Sequence, residues 1–184
     1  MKKERVFIIL DGSNFFHRLK DPVLSFKNTL NFDYKGLVFW LAKDRKIVEY
    51  IYYIGLVRNK KKDKKGGFLV RNQQKLFSLL KKQGWNIKTG FMMQNDGIFH
   101  EKGVDVKMAV DILDKAHKDE YDTVIIISSD TDLIPAIEKV KEMNKKVEYI
   151  GFSHKPSFGM QKNSDISKLL TKEELEIFCT KTLI

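Results

Sequence analysis

Two short segments, Val6-Phe7-Ile8-Ile9-Leu10 and Val124-Ile125-Ile126-Ile127, are apolar at every position. A strand with one wet face alternates polar and apolar residues, so a strand that is apolar throughout has to be covered on both faces. Helices above and below a sheet supply that cover, and the rest of the chain provides them in alternation with further strands. Ile47 to Ile54 (IVEYIYYI) is rich in β-branched and aromatic residues and reads as a strand, Trp85 to Phe91 as another, and Lys146 to Ile150 as the last. Helices are expected over residues 13–19, 35–45, 69–83, 103–117 and 132–143. Gly84 is a suitable stop for the third of them, and Pro135 falls in the first turn of the last, where its missing N–H has no intrahelical partner to lose. The run at 58–65 with Gly66-Gly67 reads as a loop, and Asn95-Asp96-Gly97 as a turn. Residues 165–180 read as one or two terminal helices, the last over about 171–180. The expectation is a three-layer α/β/α domain with a mostly parallel sheet. At 184 residues, with no internal repeat and no low-complexity linker, one domain over 1–184 is expected.

In open sheets of this kind ligands bind beyond the carboxyl ends of the strands, near the point where strand order reverses. The residues that follow each apolar run therefore matter most. The first runs into Asp11-Gly12-Ser13-Asn14, the second into Ser128-Ser129-Asp130-Thr131-Asp132. Both segments also have a plain reading, because Asp, Ser and Asn are favoured helix N-caps. A third acidic position appears when the helix from Val104 is advanced by about 100° per residue. Lys107, Asp111, Asp114 and Lys115 gather on one side, whereas Asp105 falls in the middle of the apolar side, in line with Ile112 and Ala116. A partly desolvated carboxylate is costly unless it is paired or bound to a cation. A divalent cation is one partner, and an ion pair with Lys102 is the other. Oxygen-only ligands suit Mg²⁺ or Mn²⁺, and such a cation can polarise a phosphodiester and activate water. The single cysteine, Cys179, excludes an intrachain disulfide and argues against a thiolate zinc site. His17, His100, His117 and His154 show no ligand spacing.

The net charge is +10, and the run Arg58 to Lys65 (RNKKKDKK) holds six basic residues against one acid. Basic clusters are the usual electrostatic footprint of nucleic-acid binding. Arg58, Lys60, Lys61, Lys62, Lys64 and Lys65, together with Lys102, are the candidate phosphate contacts. The alternative is a solvated lysine-rich face without a partner. No apolar run approaches the roughly 20 residues of a membrane span. The opening Met1-Lys2-Lys3-Glu4-Arg5 does not read as a signal peptide. A soluble cytoplasmic protein is the expectation.

Three ordered motifs carry a family resemblance. Asp11-Gly12-Ser13-Asn14-Phe15 resembles the D-x-x-N opening of NYN domains. Lys102 to Asp111 (KGVDVKMAVD) and Ser128 to Pro135 (SSDTDLIP) are similar to the acidic helix and the S-G-D-S-D-F-x-P segment of their LabA-like branch. The resemblance covers roughly residues 5–170. Ser129 and Thr131 stand where the family has glycine and serine. The resemblance implies a PIN-like, Rossmann-like fold with strand order 3-2-1-4-5 and a Mg²⁺- or Mn²⁺-dependent endoribonuclease. Asp11, Asp105, Asp130 and Asp132 are implied as its metal-binding carboxylates, with Asn14 orienting a ligand or water. Asp111 also matches a family acidic position, although its helical face ranks it second, with Ser13 and Ser128. RNA is the implied partner, and a homo-oligomer is compatible with the sequence. A non-catalytic RNA-binding or adaptor domain is the alternative. A phosphatase of the haloacid dehalogenase type requires a second aspartate two residues after the first, where this chain has Ser13.

Overall fold

The structure is a computed structural model, and it describes residues 3–26, 29–57, 64–95 and 98–179. The first apolar run forms β1 (Arg5–Asp11), followed by α1 (Gly12–Leu19) and α2 (Tyr34–Ala42). Next come β2 (Lys46–Leu56), α3 (Lys64–Lys82), β3 (Asn86–Asn95) and β4 (Ile98–Lys102). The second half continues with α4 (Val104–His117), β5 (Thr123–Ile127), α5 (Ile134–Glu142) and β6 (Lys146–Phe152). It ends with α6 (Phe158–Asn163), β7 (Ile166–Leu170) and α7 (Lys172–Glu176).

The seven strands form one sheet in the order β4-β3-β2-β1-β5-β6-β7, parallel except for the β3–β4 pair. The five strands anticipated from the sequence stand in the expected order, with one further strand on each edge. Burial on both faces is literal. Val6, Ile8, Leu10, Ile125 and Ile127 enter one core, beneath α1, α2 and α3. Phe7, Ile9, Val124 and Ile126 enter the other, with Met108 and Ile112 of α4 and Ile137 of α5. From β1 the chain steps outward through β2 and β3, then returns to place β5 on the other side of β1. The carboxyl ends of β1 and β5 therefore lie side by side, with Leu10 opposite Ile127.

Four local expectations are corrected. Gly66 and Gly67 lie in the first turns of α3, not in a loop. Each glycine costs a helix about 1 kcal/mol, but α3 is anchored from outside: buried Gln73 donates to the Gly55 carbonyl at 2.7 Å and accepts the Val57 N–H at 2.9 Å. Strand 85–91 continues to Asn95 and pairs with β4, which the sequence reading omitted; Asp96 and Gly97 of the expected turn lie outside the described residues. The segment 165–180 is not all helix. Ile166–Leu170 extends the sheet beside β6, and α7 follows, its start fixed by a capping box between Thr171 and Glu174. The helix expected from Asp132 begins with a 3-10 turn over Thr131–Leu133 and becomes α-helical at Ile134. No described helix is long and apolar enough to cross a membrane.

Candidate metal centre

Asp11, Asp105 and Asp130 converge: one carboxylate oxygen from each lies within 4.8 Å of the others. Asp11 is buried at the end of β1 and doubles as the N-cap of α1, its Oδ1 accepting the Asn14 N–H at 2.9 Å. Its Oδ2 accepts the Ser128 hydroxyl at 3.0 Å. Ser128 Oγ accepts the Asp130 N–H at 3.2 Å, and Asp130 Oδ1 accepts the Asp132 N–H at 2.9 Å. Cap and site are thus one arrangement here, because each capping N–H holds a carboxylate oxygen in place. The Asn14 side-chain carbonyl accepts the Ser129 N–H at 3.3 Å and ties the β1 turn to the β5 turn.

Gly12 is dictated by space. A Cβ there would stand 2.2 Å from the Tyr52 ring, so only glycine lets the chain turn from Asp11 into α1 at this point. Gly103, at φ 77°, caps α4 and starts the helix that carries Asp105.

Asp105 is half-buried, and its pKa is raised above the ordinary carboxylate range. Burial is the first cause, and the charges of Asp130 and Asp132 add to it. The alternative partner, Lys102, is exposed and forms no ion pair with it; among the described residues no lysine or arginine pairs with Asp105, Asp130 or Asp132. Three close carboxylates offer the oxygen donors that suit a hard divalent cation.

The other anticipated residues separate clearly. Asp132 is exposed and outside the group of three, though its charge reaches Asp105. Asp111 faces away, as its helical position indicates. It accepts the Tyr53 hydroxyl at 2.6 Å and the Lys88 ammonium at 2.7 Å, so its negative charge is already matched. Ser13 is partly buried beside Asn14. Lys64 is the exposed first residue of α3. Arg58, Lys60, Lys61 and Lys62 lie outside the described residues, as does the side chain of Lys65.

Sequence reasoning missed the support behind the β5 turn. The Tyr149 hydroxyl lies 3.2 Å from Ser129 Oγ and accepts the Ser157 N–H at 3.3 Å. Nothing local marks Tyr149, since its role depends on the pairing of β5 with β6. Cavity size does not mark the site either. A groove of about 860 Å³ lined by Phe39, Trp40, Arg45 and Glu148 lies near the amino ends of β1 and β2, away from the carboxylates.

An open, mostly parallel sheet covered on both faces, with carboxylates converging at its switch point, defines a three-layer α/β/α protein with a candidate metal centre. The chain belongs to the NYN domain family, whose model matches residues 5–168. A stretch of 62 residues is 40% identical to an uncharacterized protein of Methanocaldococcus jannaschii. The match covers 34% of this chain and 26% of that protein, so the chain spans about a quarter of the relative's length. The crystal structure of a protein of unknown function from Vibrio parahaemolyticus has the same fold, with a TM-score of 0.69 at 23% identity over 91% of this chain and 93% of that one.

Proposed function

We propose that this protein is a Mg²⁺- or Mn²⁺-dependent ribonuclease of the LabA-like branch, cutting RNA internally at the carboxylate cluster. The observation that carries the reading is the convergence of Asp11, Asp105 and Asp130 within 4.8 Å of one another, with no lysine or arginine among the described residues paired to Asp105 or Asp130. These three would hold the cation, and exposed Asp132 would approach it or its waters. A bound divalent cation supplies Lewis-acid polarisation of the phosphodiester and lowers the pKa of an attacking water.

The chain's own residues do the rest. Ser128 holds the Asp11 carboxylate in orientation, and Asn14 keeps the two strand-end turns in register. A bound cation would relieve Asp105, whose pKa is raised by burial and by the charges of Asp130 and Asp132. Lys102 and the Arg58–Lys65 run supply positive charge for the RNA backbone. The cytoplasm is the compartment we assign to this activity.

The test is cleavage of single-stranded RNA, with DNA alongside. Cleavage is expected with Mn²⁺ or Mg²⁺, none with EDTA, and little from Asp130→Asn. Cleavage that persists in EDTA overturns the reading. Metal-dependent RNA binding without any cleavage would instead leave an RNA-binding adaptor.

A further inference from the structure

Phe158 is the most exposed large apolar side chain among the described residues, at 79%. Its backbone, in contrast, is fixed on both sides to the loop that carries the carboxylates. On one side, Ser157 Oγ accepts the Met160 N–H and Ser157 N–H donates to the Tyr149 hydroxyl, which meets Ser129 Oγ. On the other, Gly159 lies against Thr131, between Asp130 and Asp132: a Cβ at 159 would stand 3.0 Å from Thr131 Cγ2. The ring therefore projects into water from a well-anchored position one residue away from the acidic loop. Among the described residues no aromatic ring or ammonium group packs against it. Burying a phenylalanine stabilises a fold, and at 79% exposure this one contributes little of that gain.

We propose that Phe158 is a stacking platform for an unpaired nucleobase beside the scissile phosphate, which makes the site selective for single-stranded over duplex RNA. The proposal rests on the ribonuclease reading above. A base inside a duplex has neighbours on both faces, whereas a base in a single strand can leave its stack and lie on an aromatic side chain. Stacking is tolerant of sequence, because every base has a π-face. It also answers an electrostatic difficulty. Aspartates repel phosphates, so a neutral contact adjoining them holds the strand without competing for the cation.

The experiment is binding by fluorescence anisotropy, in EDTA so that no strand is cut, to one labelled oligoribonucleotide presented single-stranded and as a duplex. Phe158→Ala is expected to weaken single-strand binding about five-fold or more, the effect of losing one stacked base, and to leave duplex binding unchanged. Phe158→Tyr is expected to keep the parent affinity. Phe158→Trp is expected to show fluorescence quenching by the single strand, absent with the duplex, beyond the response of the parent protein. Equal single-strand affinity of Phe158→Ala and parent overturns the platform, as does an equal loss for both RNA forms. If the parent binds and cuts RNA while Phe158→Ala is indistinguishable from it, the ribonuclease reading stands and the platform alone falls. If the parent binds neither RNA form, the platform falls, and cleavage with Mn²⁺ or Mg²⁺ decides the ribonuclease reading separately.

Discussion

Replacing Asp105 by asparagine tests the electrostatics of the site without requiring any knowledge of its substrate. The side chain keeps its shape and loses its charge. In the parent, Asp105 faces Asp11 and Asp130 across no more than 4.8 Å. Two unit charges at that distance repel by about 0.9 kcal/mol in water and about 3.5 kcal/mol at an effective dielectric constant of 20. A half-buried carboxylate lies between these limits. A net gain of about 1–2 kcal/mol is expected for the metal-free variant at neutral pH, roughly 3–6 °C in melting temperature for a chain of this size. The sign follows from the raised pKa of Asp105. Below the ordinary carboxylate pKa both folded and unfolded chains carry the proton, and the substitution changes little. As pH rises, the unfolded chain ionises first, so the parent loses stability until the folded-state pKa is passed, and above it the variant's advantage is complete. Added Mn²⁺ reverses the ranking, since the parent gains binding free energy that the variant has lost. Thermal melts of both proteins in EDTA and in Mn²⁺, across acid to neutral pH, read all of this. A variant that melts lower than the parent in EDTA and keeps the full Mn²⁺ response would falsify the placement of Asp105 in the site.

Two further outcomes are expected. The Arg5 guanidinium, 2.7 Å from Asp122, holds that carboxyl down at about 2. Asp122→Asn should therefore cost stability at pH 7, by about 1 kcal/mol once solvent screening of this partly exposed pair is allowed for, with the difference fading as pH falls from the ordinary carboxylate value through about 2; chemical denaturation at several pH values reads it. Exchange of Lys60, Lys61, Lys62, Lys64 and Lys65 for glutamine should weaken RNA binding at every sequence and flatten its salt dependence by up to about 0.7 per lost phosphate contact. An unchanged slope in a salt titration returns the run to a solvated surface.

Periodicity and residue type along the chain were enough for much of this molecule. A run that is apolar at every position has one stable placement, in the middle of a sheet with helices on both sides, and Val6–Leu10 and Val124–Ile127 take it. The acidic turns that follow them, and the apolar-face position of Asp105, were visible for the same reason: a charge that breaks an apolar pattern stands out against it. The edges were not legible. β4 and β7 are short strands whose pairing is decided by the neighbouring strand, and Gly66-Gly67 becomes helical because Gln73 anchors α3 to the end of β2. The exact membership of the acidic group was also beyond the sequence. Asp130 and Asp132 are two residues apart and chemically alike, yet the 3-10 turn leaves one converging with Asp11 and Asp105 and the other exposed. Tyr149 and Phe158 gain their significance only from β6 lying beside β5. Local pattern determines which side chains must be buried, whereas distances between residues far apart in the chain are set by strand order and packing, and those arise only when the whole sheet has formed.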